Sequence, residues 1–191
     1  RDRSVSRGLG DVYKRQRLSY DLKLYRTADE RIFTLFDVDR NADVSMLDNT
    51  NRLISGNLIA CQPIYFPLSC ITESIQFRGE ELIPIVELAK IATGLNDWFM
   101  NDGKCVRTNE YRIFDEFWYC PENGFRYRIN TKIICDKFCQ RLKFEYGNID
   151  KQYKLFEWFN EHMIDYRGLI EKEMAKDVST LIENPYASSI K

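Results

Sequence analysis

From Leu18 to Leu47 the apolar residues come in short runs broken by charged turns. Leu22 and Leu24 alternate with polar neighbours in LSYDLKLY. RIFTLFDV and DVSML follow, separated by DRNA. A period of two over such lengths predicts half-buried strands, here a small N-terminal β-meander open to closing as a barrel. Asn49 to Asn57 is polar with one glycine and predicts a loop or weak turn. LIACQPIYFPLS predicts a strand with a rigid exit, because Pro63 and Pro67 remove donors and fix φ.

A second pattern begins near Ile71. SIQF, Arg78-Gly79 and ELIPI predict a hairpin leading into a helix. Pro84 suits a first helical position. Ile85, Leu88, Ile91, Ala92 and Leu95 follow at helical spacing, and Gly94 supplies the stop. YRIFDEFWYC-PENG-FRYRI then predicts a longer hairpin, with Pro121 and Gly124 shaping its turn. In its return strand Phe125, Tyr127 and Ile129 share one face, and Arg126 and Arg128 the other.

Helical spacing governs the rest. Ile134, Phe138 and Leu142 predict a helix over Ile133 to Phe144. Asn148 or Asp150 can cap a second one with the stripe Ile149, Tyr153, Phe156, Phe159 and Met163. Asp165 can cap a short last helix burying Leu169, Ile170 and Met174. ENPYASSIK closes the chain as a tail. These elements predict an α+β chain with a β-rich domain over 17–70, an α+β domain over 71–180 and a tail over 181–191.

Composition sharpens this picture at two points. Residues 1–16, RDRSVSRGLGDVYKRQ, have no apolar periodicity and resemble adapter-derived sequence, so they are set apart as a scar or a disordered basic arm. They carry four Arg, one Lys and two Asp, a net of +3; the whole chain is at −1, so the other 175 residues sit at −4. A mildly acidic body lacks the clustered positive charge that phosphate backbones require, which disfavours a nucleic-acid partner. No apolar run approaches the ~18 residues of a membrane span. Cysteines at 61, 70, 105, 120, 135 and 139 include no CxxC, and they read as reduced cytosolic thiols.

Three constellations invite chemistry. Asp37, Asp39, Asn41, Asp43, Ser45 and Asp48 fall at positions 1, 3, 5, 7, 9 and 12 of a loop, the oxygen-ligand spacing of an EF-hand. Against calcium stand Ala42, which would cost roughly 1–2 kcal/mol in a left-handed turn normally made by glycine, and the polar segment NTNRLISG where a helix should leave. A hairpin turn rich in Asp and Asn is the competing reading. His162, the only histidine, has Glu161 beside it and Asp165 three residues on. A zinc site there would need further ligands, and Cys135 and Cys139 are the nearest sequence candidates. Finally, Arg126 and Arg128 with Trp118 and Tyr119 could form a platform for single strands, but Asp115 and Glu116 lie across the same hairpin and offset them.

Two patches carry a family resemblance. QPIYFPLSCITESIQFRGEELIPIVELAK, and the run Trp158, Asn160, His162, Asp165, Tyr166, Arg167, Gly168, Leu169 and Ile170, resemble a group of small proteins encoded by gut anaerobes and their phages. LSYDLKLY fits the same group. This chain departs from it at Met163, where a second His is common, and at Glu173-Met174 in place of Gly-Leu. The second departure predicts a longer last helix, since Glu is a better helix interior residue than Gly. The group supplies no catalytic residues. The resemblance implies a phage or prophage accessory protein in a bacterial cytoplasm, non-enzymatic and acting through protein partners. No catalytic, cofactor or metal residue is assigned on that reading. A calcium module at Asp37 to Asp48 and an enzyme centred on His162 are the alternatives.

Overall fold

The computed structural model describes residues 21–38, 43–57, 60–107, 110–121, 124–135, 139–148 and 152–188. The chain is α+β and divides into two compact units, one of Arg1–Pro67 with Phe159–Lys191, the other of Leu68–Trp158.

The first unit is built on one sheet. Its strands are β1 (Lys23–Arg26), β2 (Arg31–Val38), β3 (Asp43–Leu47), β4 (Leu53–Asn57) and β5 (Cys61–Pro67). The order across the sheet is β5-β1-β2-β3-β4, with every described pair among these five antiparallel. Alternation along the strands buries Leu24, Phe33, Leu35, Val44, Met46, Ile64 and Phe66, as the period of two requires. Between Leu35 and Asp37 the register shifts, leaving Phe36 as a bulge residue that is 60% exposed.

The sheet stays open rather than closing as a barrel. Two short strands from the far end of the chain, β13 (Ile164–Asp165) and β14 (Lys176–Asp177), run parallel to β5, on Phe66–Pro67 and on Ile64–Tyr65. The edge that a barrel would join to β4 is thereby occupied. β4 itself corrects the expectation of a loop over Asn49 to Asn57. The turn at Asp48–Arg52 lets Leu53–Asn57 fold back on β3 over five paired positions.

The second unit opens with a short 3₁₀ turn (Leu68–Thr72) and the ribbon of β6 (Ile75–Phe77) and β7 (Glu80–Leu82). Its two-residue turn has φ of 52° at Arg78 and 83° at Gly79, the two positive values that a type I′ hairpin needs. Helix α1 (Pro84–Thr93) starts on its proline and ends at Gly94, whose φ of 72° is left-handed and whose N–H reaches the Lys90 carbonyl. The buried face of α1 packs Ile85 and Ala89 against Trp98, Cys105 and Phe114. Those three residues belong to an antiparallel meander of β8 (Trp98–Asn101), β9 (Lys104–Arg107), β10 (Glu110–Cys120), β11 (Gly124–Cys135) and β12 (Cys139–Asn148), whose spatial order is the chain order.

Where a helix is expected over Ile133 to Phe144, the described residues are strand, β11 through Cys135 and β12 from Cys139; residues 136–138 lie outside them. β11 and β12 pair without interruption from Arg126↔Asn148 to Cys135↔Cys139. A continuous ladder satisfies every second backbone group along both strands, and Thr131, Ile133 and Ile134 are β-branched residues that favour it. The i, i+4 spacing of Ile134, Phe138 and Leu142 was compatible with either structure.

Helix α2 (Gln152–Glu161) is the expected C-terminal helix, and the boundary between the units falls inside it. Its buried residues are Leu155 and Phe159, whereas Tyr153 of the expected stripe is 59% exposed; Ile149 and Asp150 lie outside the described residues. Gln152 grips the β11 backbone at Phe125, its Oε1 accepting from the N–H at 2.8 Å and its Nε2 donating to the carbonyl at 2.7 Å. Gly124 leaves room for it, since a Cβ there would stand 2.7 Å from that Oε1.

No last helix forms. Left-handed φ values at Met163, Gly168 and Glu173 (53°, 66° and 58°) break the segment into turns, and Met174 is 60% exposed rather than buried. Nor is 181–191 merely a tail. Tyr186 is 3% exposed and belongs to the first unit, its ring tilted against Phe66 with centroids 5.8 Å apart. The grouping of 71–180 expected from sequence thus differs from the observed one, because the chain from Phe159 onward returns to β5.

Candidate interaction surface

The described parts of Asp37–Asp48 are the end of β2 and the whole of β3, paired antiparallel, and Asp48 itself. Both flanks are strands, with Asp37 opposite Ser45 and Val38 opposite Val44, where an EF-hand needs helices on either side. Asp39, Asn41 and Ala42 lie outside the described residues. Asp48 turns the other way, into the next connection. Its Oδ1 accepts from the Thr50 hydroxyl at 2.7 Å, the Thr50 N–H at 2.9 Å and the Arg52 N–H at 2.9 Å. Those bonds, the Thr50 hydroxyl first, hold its carboxyl below the usual range. Asp48 therefore closes the β3–β4 turn. Asp37, Asp43, Ser45 and Ser55 line an open hollow of about 480 Å³ on the solvent face of β2–β4.

The hollow borders the edge of the sheet. Asp48 N–H donates to the Arg52 carbonyl at 3.1 Å, so Asp48↔Arg52 is a hydrogen-bonded pair. Such pairs alternate along an antiparallel ladder. Met46↔Ile54 and Val44↔Gly56 are then bonded pairs, while Leu53 and Ser55 turn their N–H and C=O groups away from β3. Among the described residues no further strand pairs with β4 on that side. The strand, LISGN, has no charge and no proline, and Leu53 is 56% exposed. Proteins ordinarily blunt an open edge with charge, proline, a bulge or a short strand. The opposite edge follows that rule, with the two-residue strands β13 and β14.

His162 lies in the turn after α2, half-buried. The Asp165 carboxylate, 6% exposed, is held by backbone: Oδ1 accepts from the Arg167 N–H at 3.2 Å and Oδ2 from the Ile170 N–H at 2.7 Å. It shapes the turn that starts after β13. Arg167 donates from Nε and Nη2 to the Tyr166 hydroxyl at 3.0 and 2.8 Å. Beside them a cavity of about 20 Å³, lined in part by Tyr65, Asn160 and Asp165, has room for a single water. Burial pushes the Tyr65 phenol up. Cys135 and Cys139 stand opposite each other across β11–β12. No cluster of three or more metal-ligating side chains occurs among the described residues. In the β10–β11 hairpin the register sets Glu116 opposite Arg128 and Trp118 opposite Arg126.

The open edge escaped the sequence reading because LISGN has too few strongly β-favouring residues to register as a strand. Its one available signal was the absence of charge over five residues. Comparison with protein-family models, with curated proteins and with solved structures finds no match for this chain. No described helix is long and apolar enough to cross a membrane.

Proposed function

We propose that this chain is a non-enzymatic accessory protein of a phage or other mobile element, which works in the host cytoplasm by binding protein through the open edge of β4. The edge carries the proposal. Outward N–H and C=O groups at Leu53 and Ser55 form a ready template for an added strand, in a sheet whose other edge is blunted by β13 and β14. The two patches shared with small proteins of gut anaerobes and their phages supply the context. Asp48 closes one turn and Asp165 another through bonds to backbone N–H groups, which fits a structural use of both carboxylates.

Ser55→Pro tests this directly. Its N–H faces away from β3, so proline removes an outward donor without breaking the β3 ladder. Partners recovered with the native chain are expected to be lost with Ser55→Pro at unchanged melting temperature. Retention of all of them, or protection of the Leu53 and Ser55 amides from hydrogen exchange in the dilute isolated protein, would refute it.

A further inference from the structure

We infer that the strand added to β4 is β4 of a second copy of this chain, antiparallel across a two-fold axis centred on Ser55. This rests on the reading of β4 as the docking edge and names its occupant. A two-fold interface must be self-complementary, the same patch meeting itself. β4 meets that condition in sequence and in backbone. Centring on Ser55 sets Ser55 opposite its mate, Ile54 opposite Gly56 and Leu53 opposite Asn57, with no charged residue in any of the five positions. The outward N–H and C=O of Ser55 then exchange both bonds with the same groups of the second copy, as a hydrogen-bonded antiparallel pair does.

The nearest acidic residue on the neighbouring strand is Asp43, level with Asn57 at the end of the ladder. In the paired sheet it shares a row with Leu53 and Leu47 of the second copy, so like charges do not meet. The other sheet edges are less suited. β7 carries Glu80 and Glu81, its uncharged partner β6 is only three residues long, β12 carries Arg141, Lys143 and Glu145, and the four-residue β8 is flanked by Asp97 and Asp102. Such charges discourage edge pairing. One five-residue strand pair buries well under the roughly 1,200 Å² of a stable interface, so the association is weak and reversible.

Sedimentation equilibrium of the full chain, over a concentration series, is expected to show a monomer passing into a dimer. Ser55→Lys sets lysine beside lysine at the axis, where directly opposed like charges destabilise a strand pair. It should weaken self-association at least tenfold, with melting temperature unchanged. Ser55→Glu should do the same, and an equimolar mixture of the two variants should associate again. Leu53→Glu, at an exposed position, gives a second disrupting variant if either Ser55 change impairs folding.

A monomer at every concentration, or undiminished self-association in Ser55→Lys and Leu53→Glu, overturns the proposal. If the monomer's Leu53 and Ser55 amides exchange freely, the edge is open and belongs to a different protein; the docking reading then survives. If those amides are protected in the monomer, both fail.

Discussion

The Tyr186 hydroxyl donates to the Ile64 carbonyl at 2.8 Å, across 122 positions of sequence, while accepting from the Lys23 N–H at 3.1 Å. It stands where β1 and β5 part. Their last described rung is Leu24↔Pro63, and the next would set Lys23 against Ile64. The phenol joins the two backbone groups in place of that rung and packs its ring, tilted, against Phe66. Tyr186→Phe keeps the ring and removes both hydrogen bonds. An unsatisfied buried donor or acceptor costs about 1–3 kcal/mol, so the urea midpoint should fall by a corresponding amount, while Tyr186→Ala should lose more because it also empties a buried site. A midpoint unchanged in Tyr186→Phe would show that the hydroxyl does not tie the strands.

Glu173 tests the turn that replaced the last helix. Its φ of 58° is left-handed, and its carbonyl accepts from Gln62 Nε2 at 2.8 Å. Had this segment been helical, Glu173→Gly would destabilise it by roughly 1 kcal/mol. At a left-handed position the sign reverses. Glycine relieves strain of about 1–2 kcal/mol and gives part of it back through unfolded-state freedom of roughly 0.4–1 kcal/mol. A small rise in melting temperature is the expected outcome, and a clear fall would restore the helix.

The β-rich N-terminal half was legible because Leu22, Leu24, Phe33, Leu35, Val44 and Met46 alternate cleanly, and because Pro84 and Gly94 punctuate α1. The misses share one physical origin. Ile134, Phe138 and Leu142 obey helical spacing, but Ile134 and Leu142 lie in the β11–β12 ladder, where they are backbone neighbours of Gln140 and Lys132; Phe138 lies outside the described residues. Leu169 and Ile170 obey it too, yet Asp165 takes the N–H groups of Arg167 and Ile170 and left-handed residues interrupt the turns. Tyr186 gave no local signal, since its role depends on strands more than a hundred residues upstream. At the surface, charge spacing pointed to Asp37–Asp48 as a site, whereas the open edge of β4 is a property of neighbours that a single segment does not display.

Among the described residues, three carboxylates are held below the ordinary range. The Arg26 guanidinium beside Asp29 holds its carboxyl down at about 2. The Thr50 hydroxyl and nearby amides lower Asp48, and the Arg107 guanidinium, bonded at 2.7 and 2.8 Å, lowers Asp97. A depressed folded pKa means that the unfolded chain binds the proton first. The contribution is therefore complete above the unfolded value of about 4 and is lost as pH falls towards 2. Melting temperature should drop over that window. Asp48→Asn and Asp97→Asn should each lower it at neutral pH and flatten the acid limb, and an acid limb of unchanged slope in both variants would exclude these groups.

Cys105 sets a limit at the alkaline end. Its Sγ lies 3.8 Å from the Ile85 carbonyl in the core under α1, and burial lifts the thiol to about 12. Here the folded state keeps the proton longer than the unfolded state. The stabilising contribution is whole below the unfolded value of about 8.5 and declines as pH rises towards 12. Cys105→Ala should flatten that decline. The thiolate is the reactive form, so a thiol reagent at pH 8 should leave Cys105 untouched until the chain unfolds. Stoichiometric labelling of native protein at this residue would contradict the burial.

The β11–β12 register makes one covalent prediction. Cys135 and Cys139 are directly opposed in an antiparallel pair, where Cα atoms lie about 4.5–5.5 Å apart, inside the roughly 4.4–6.8 Å that a disulfide spans. On a helix the same i, i+4 pair would hold its Cβ atoms about 5–6 Å apart, beyond the roughly 3.5–4.5 Å that the bond requires. Exchange with a low-molecular-weight disulfide should therefore close Cys135 to Cys139. Two thiols become one S–S bond, while the reagent is reduced to two thiols. Digestion and mass spectrometry should find one peptide lighter by two hydrogens in the native chain, and not in Cys135→Ser or Cys139→Ser. Mixed disulfides at both cysteines with no internal bond would favour the helix over the strand pair.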